Sequence, residues 1–149
     1  MSKVVKHRLD VWKEEPSYWT HMAAIEKRIY ASSIPRTLIE LIKIRASQIN
    51  KCAYCIDYHT AEAVQIGESA RRIFALSAWK ESPLFTESER AALQLTEEIT
   101  HISIDGVADA TYETVKTHFT TSEIGDMMVC ISHINFLNRI GISTKTVAL

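Results

Sequence analysis

SIPRTLIELIKIRASQINKCAYCIDYHTAEAVQIG, residues 33–67, holds two helices and the break between them. Pro35 follows Ser33 and Ile34 near a first helical position, where its missing N–H is no loss and its fixed φ suits the first turn. From there to about Gln48, apolar residues recur on several sides, so the spacing predicts a helix buried against more than one neighbour. Asn50 can cap a second helix from Lys51 to Ile66, with Gly67 as its C-terminal stop. Upstream, Trp19, Met22, Ala23 and Ile29/Tyr30 at helical spacing predict a helix from Ser17 to Ala31. Downstream, Ser69 to Trp79 reads as a short helix, and Thr86-Glu87-Ser88-Glu89 forms a capping box for one reaching about His101. A shorter helix is expected from about Val107 to His118, and a last one from Thr121/Ser122 to Gly141. Only His101–Ile104 is ambiguous between strand and helix. With no repeat, linker or low-complexity tract, the expectation is a single all-α domain, residues 1–149, of about six to seven helices.

Composition narrows the function class. Hydrophobic residues at 46% and charged residues at 23% describe a folded chain rather than a disordered one. A chain of 149 residues is long enough for one domain burying about 68–70% of its unfolded surface. A net charge of -1 gives no electrostatic reason to expect a nucleic-acid or membrane partner. MSKVVKHRLDVWKEEP, residues 1–16, has no continuous apolar core or small-residue cleavage site, and no apolar run approaches the ~18 residues of a membrane span. The expected location is the cytoplasm. In that reducing compartment a close cysteine pair is more often redox-active or metal-binding than a structural bridge.

The chemistry-bearing stretch is Asn50-Lys51-Cys52-Ala53-Tyr54-Cys55-Ile56-Asp57-Tyr58-His59. On a helix, Cys55 lies about 60° and His59 about 20° from Cys52 around the axis, so all three share one face. Sulfurs at i and i+3 can close a disulfide with modest adjustment, and an imidazole one turn on can accept a thiol proton. With Asn50 as cap, Cys52 would sit in the first turn, where free N–H groups, the helix dipole and Lys51 favour a thiolate.

Glu40, eleven intervening residues, Cys52-x-x-Cys55, three residues and His59 resemble the E-x11-C-x2-C-x3-H pattern of the alkyl hydroperoxidase D and carboxymuconolactone decarboxylase superfamily. Ile42-Lys43-Ile44-Arg45-Ala46-Ser47-Gln48-Ile49-Asn50 and Asn138-Arg139 are similar too, and the resemblance spans roughly residues 10–145. It implies an AhpD-like helical fold that assembles into a homotrimer or homohexamer. It also implies an antioxidant oxidoreductase that reduces a hydroperoxide or a disulfide through Cys52 and Cys55. Because the sequence shows no flavin or nicotinamide site, no cofactor is expected, and an external dithiol, protein or small molecule, would restore the reduced pair. Glu40 would orient and charge His59, and His59 would deprotonate a cysteine. The family pattern makes Cys55 the attacking thiol, whereas the helix-end argument favours Cys52. One departure is Tyr54, where several peroxidases of the group carry histidine; tyrosine, with a reference pKa of about 10, is no base near neutrality.

Other readings of the same residues stay open here. Cys52, Cys55 and His59, with Cys130, His101 or His133, could hold a structural zinc ion, although no second ligand motif follows. Glu40 lies on a polar stripe with Arg36, Lys43 and Ser47 that could equally be a solvated face, and Glu62 competes for His59. A carboxymuconolactone decarboxylase-type enzyme is an alternative that the intact CxxC disfavours; a non-enzymatic redox sensor is another. Cys130 reads as a core residue. The tryptophans read as packing or interface residues, Arg71-Arg72 and Lys27-Arg28 as solvated faces, and His7, His21 and His118 carry no signal. Gly67, Gly106, Gly125 and Gly141 stand alone, so no phosphate-binding loop is present.

Overall fold

The structure, a computed structural model, describes residues 6–147. The part of the N-terminal reading that falls on residues 1–5 lies outside that range. The helices are α1 Val11–Glu14, α2 Pro16–Tyr30, α3 Arg36–Asn50, α4 Ala53–Gln65 and α5 Ala70–Ala75, the last continued by a 3₁₀ turn at Leu76–Ala78. They continue with α6 Glu87–Thr100, α7 Ile102–Asp105, α8 Asp109–Lys116 and α9 Thr121–Thr144. The described residues form no strand, and the ambiguous stretch after His101 is α7. None of these helices is long and apolar enough to cross a membrane.

Helix α3 is the centre, packed against α4, α6 and α9. Every residue from Leu38 to Ile44 is buried, which agrees with apolar residues on several sides of the helix. One core forms where Leu38 and Ile42 meet Ile29 of α2, Leu95 of α6, Val115 of α8 and Ile131 of α9. On the opposite side Leu41 and Ile44 pack with Ala63, Leu76, Trp79 and Leu93. Cys130 is free and buried in the first core, as expected of a small apolar residue.

The ends follow local chemistry. Thr86 with Glu89, and Thr120 with Glu123, form reciprocal capping boxes on α6 and α9. Two boundaries differ from expectation. Asn50 does not cap α4; it is the last residue of α3, Lys51 turns left-handed at φ 60°, and Cys52 is the cap. The Asn50 amide is instead consumed by α9, as described below. Gly141 does not end α9, which continues to Thr144 and closes on left-handed Lys145. Arg72 is also no solvated charge: it bridges Glu68 and Glu89 and donates to the Leu84 carbonyl, tying α5 to α6.

Because Ile42 has no exposed surface and sits in the centre of the first core, Ile42→Ala should lower stability by about 2–5 kcal/mol. A urea unfolding series measures it, and a loss below about 1 kcal/mol would mean that α3 is not the packing centre.

Candidate active site

The left-handed turn at Lys51 re-aims the chain so that Cys52 and Cys55 open α4. Cys52 Sγ accepts the backbone N–H of Cys55 at 3.4 Å, taking over one of the donors a helix start leaves free. The Cα atoms are 5.3 Å apart and the sulfurs are joined in a disulfide. Behind this turn the Asn50 amide donates to Asn135 and Asn138 Oδ1 at 2.8 and 2.9 Å, and Asn138 donates to Ser47 at 3.0 Å. These bonds press α9 against the cysteine turn. There Gly141 makes room: a Cβ at that position would stand 3.3 Å from Cys52 Sγ and 3.7 Å from Cys55 Sγ.

Beyond Arg36, which is half exposed, the polar stripe of α3 is a buried seam and not a solvated face. Glu40, Lys43 and Ser47 have no exposed surface. Glu40 Oε2 lies 2.8 Å from His59 Nδ1 on α4, and Oε1 accepts the Tyr30 hydroxyl of α2 at 2.6 Å. Burial alone would raise the Glu40 pKa, but the bonds from His59 and Tyr30 outweigh it and hold the carboxyl below its ordinary value. An ionised Glu40 can only accept, so His59 Nδ1 carries the proton of this bond, and Nε2 is the ring nitrogen that Glu40 leaves free. Burial, with the carboxylate beside it, pushes the Tyr30 phenol far up, so it remains a donor. Lys43 Nζ completes the seam, 2.7 Å from the Tyr30 oxygen and 2.8 Å from Glu26 Oε1. The competitor Glu62 faces Arg36 at 3.7 Å instead; Arg36 itself stacks 3.9 Å over the Tyr30 ring.

A cavity of about 460 Å³, large enough for a small organic molecule, opens onto Cys55 and His59. Its walls include Trp12, Trp19, Tyr54, Tyr58, Leu137 and Ile140. Trp12 and Trp19, expected to serve packing or an interface, therefore face the site, their rings 5.5 Å apart. His7, for which the sequence offered no signal, also lines the cavity. Tyr30, Glu26 and the role of Lys43 were not anticipated. The available signal was a lysine inside a helix apolar on most sides, which requires a buried counter-charge.

The remaining candidates stand apart. Burial pushes the Cys130 thiol up to about 12, which leaves it protonated and inert. His133 is buried, its Nε2 3.1 Å from the Met22 carbonyl, and burial lowers its pKa. His101 is exposed at the end of α6. Among the described residues, no three His, Cys, Asp or Glu side chains are grouped to hold a metal ion.

Residues 15–98 match the carboxymuconolactone decarboxylase family. The chain is 41% identical to the uncharacterized protein YdfG of Bacillus subtilis, over 93% of this chain and 95% of that one. A crystal structure from Agrobacterium tumefaciens, of a protein of unknown function provisionally named an AhpD antioxidant defence protein, superposes with a TM-score of 0.93. It is 37% identical and covers 97% of this chain and 99% of its own. The alkylhydroperoxidase AhpD core of an uncharacterized peroxidase-related protein from Ralstonia eutropha shares the fold at 17% identity. Its TM-score is 0.82, with 93% and 74% of the two chains covered.

A glutamate held below its ordinary pKa of 4.5 contributes stability that is complete above that value and is lost as pH falls through the folded value. Wild type should therefore be more stable than Glu40→Gln at neutral pH, with the gap closing below about pH 4.5. Thermal melts of both proteins across that range measure it. Parallel curves would show that Glu40 is not ionised in the native state.

Proposed function

Since this chain belongs to the carboxymuconolactone decarboxylase family, within the superfamily of alkyl hydroperoxidase D-like proteins, we propose that it is a thiol–disulfide oxidoreductase reducing organic hydroperoxides. The observation that carries this reading is the closed Cys52–Cys55 pair beside a Glu40-oriented His59, with Cys55 facing an apolar cavity. A decarboxylase site would make no use of the disulfide.

The roles of the two sulfurs follow from their places. Both cysteines are buried, at 5% exposure for Cys55 and 1% for Cys52, but Cys55 lines the cavity together with His59, whereas Cys52 occupies the helix cap. In the reduced protein His59 Nε2 takes the Cys55 proton, and the thiolate attacks the terminal oxygen of the hydroperoxide. The S–O bond forms as the O–O bond breaks; sulfur loses two electrons, and the departing alkoxide takes the proton from His59 and leaves as the alcohol. Cys52 then attacks the Cys55 sulfenic acid. The S–S bond forms, the S–O bond breaks, and hydroxide leaves with the Cys52 proton as water. An external dithiol reopens the bridge by exchange at Cys55. The released Cys52 sulfur is negative at the moment of cleavage, where the N–H groups of the first turn stabilise it. Tyr54 and Tyr58 serve as cavity wall; for Tyr58, burial and Glu62 keep the phenol neutral. The expected assembly into a trimer or hexamer belongs to the same proposal and is checked by light scattering.

The test is intact mass of reduced protein before and after one equivalent of cumene hydroperoxide. Wild type should lose two hydrogens, mapped to Cys52–Cys55, and turn over when a dithiol is supplied. His59→Ala should slow this by about 10²–10⁴-fold. Unchanged mass in wild type, or full turnover in Cys55→Ser, would contradict the reading.

A further inference from the structure

Three helices contribute to a hydrogen-bonded chain that extends past the Glu40–His59 pair. Lys43 donates to Glu26 and to the Tyr30 oxygen, Tyr30 donates to Glu40 Oε1, and Glu40 Oε2 receives His59 Nδ1–H. Each link has one possible polarity. An ammonium has only protons to offer, so the single Tyr30 proton points to the carboxylate. The Lys43 ammonium is fully buried and its partner Glu26 is only partly exposed at the cavity wall; a pair so largely removed from water is a poor device for stability alone, because apolar residues of similar volume do as well or better. Its effect on the neighbouring carboxylate gives it a purpose.

We propose that Tyr30, held in place by Lys43, is a positioning residue for the thiol chemistry: it occupies one oxygen of Glu40, leaves the other for His59, and keeps His59 Nε2 free to act as the base. The inference rests on the thiol reading above. A carboxylate facing His59 with its full charge would hold the ring as imidazolium, a form with no lone pair for the Cys55 proton. The Tyr30 hydroxyl and the Lys43 charge behind it draw part of that charge away. Geometry and electrostatics then act together: the carboxylate orients the ring without over-stabilising its protonated form.

The other groups around the pair are placed to modulate this rather than replace it. Arg36 on α3 stands 4.0 Å from Glu40 but is half exposed and shared with Glu62 of α4. Tyr58 sets its ring edge-on against His59 at 5.1 Å. On α9 the buried His133, held 3.1 Å from the Met22 carbonyl, lies within reach of the charges of Lys43 and Glu26, and His7, Asp10 and Glu26 itself lie along the cavity wall. Arg36 Nε faces the same Oε1 that Tyr30 holds, but at 4.0 Å it is beyond hydrogen-bonding distance, whereas the Tyr30 hydroxyl donates to that oxygen at 2.6 Å.

The experiment is the pH dependence of iodoacetamide alkylation at Cys55 in reduced wild type, Tyr30→Phe, Lys43→Met and His59→Ala, between about pH 5 and about pH 8. Alkylation reads thiolate formation directly and needs no peroxide turnover. Tyr30→Phe keeps the ring under Arg36 and removes only the hydroxyl. Its acid limb, where His59 carries the extra proton, should move up by roughly one pH unit, and Lys43→Met should move it in the same direction. Near-UV circular dichroism verifies that each variant is folded. A Tyr30→Phe profile overlying wild type, while His59→Ala loses the limb, would overturn the positioning role alone. A wild-type profile unchanged in His59→Ala would instead overturn the relay beneath it. If neither Tyr30→Phe nor Lys43→Met folds, the trio belongs to stability and the proposal fails.

Discussion

Helix α3 carries a carboxylate and an ammonium, Glu40 and Lys43, on one face with no access to water. A buried charge is tolerated only when paired and hydrogen-bonded; left alone it costs on the order of several kcal/mol. The fold meets that demand by bringing Tyr30 and Glu26 from α2 and His59 from α4 onto the same seam. Further along the helix Ser47 and Asn50 carry the seam to Asn138 and Asn135 of α9. The positions of α2, α4 and α9 around α3 are thus set by polar partners as well as by the two apolar cores. The imidazole beside the sulfurs therefore sits on a rigid element, locked by a partner that is itself locked.

The cysteine turn uses the same economy of parts. Lys51 in a left-handed conformation ends one helix and lets Cys52 cap the next, so the sulfur does the work of the serine or aspartate found at other helix starts. This places the two thiols in unlike surroundings. Cys52 is enclosed by the cap and by Gly141 of α9, while Cys55 looks into an apolar cavity walled by Trp12, Trp19 and the tyrosines of α4. Under the proposed thiol chemistry, a disulfide with one sulfur in a helix cap and the other in a cavity wall would give exchange a direction, because an incoming thiolate would approach from the cavity.

Much of the fold was legible in the sequence because its signals are local. The apolar residues around α3 and the capping box at Thr86–Glu89 predicted elements that the structure contains with ends shifted by one or two residues. Family spacing named Glu40, Cys52, Cys55 and His59, and the structure brings them together; which of them act is the proposal tested above. What failed depended on long-range neighbours. Asn50 looks like a cap until α9 claims its amide, and Gly141 looks like a stop until the sulfurs packed against it are seen. The stripe Arg36, Glu40, Lys43, Ser47 could not be told from a solvated face, since its counter-groups Tyr30, Glu26 and Asn138 lie on other helices. The first turn α1 escaped notice because four residues carry no period to read, and with it went the placement of Trp12 against the site.

The most direct measurement is trapping of the intermediate in single-cysteine variants. Reduced Cys52→Ser and Cys55→Ser proteins are each mixed with one equivalent of cumene hydroperoxide in the presence of dimedone, and the adduct is located by peptide mass. With Cys55 as the attacking thiol, Cys52→Ser accumulates a dimedone-trapped sulfenic acid at Cys55, and Cys55→Ser gives essentially none. An adduct confined to Cys52, or none in either variant, would contradict the assignment of the cavity-facing sulfur as the nucleophile.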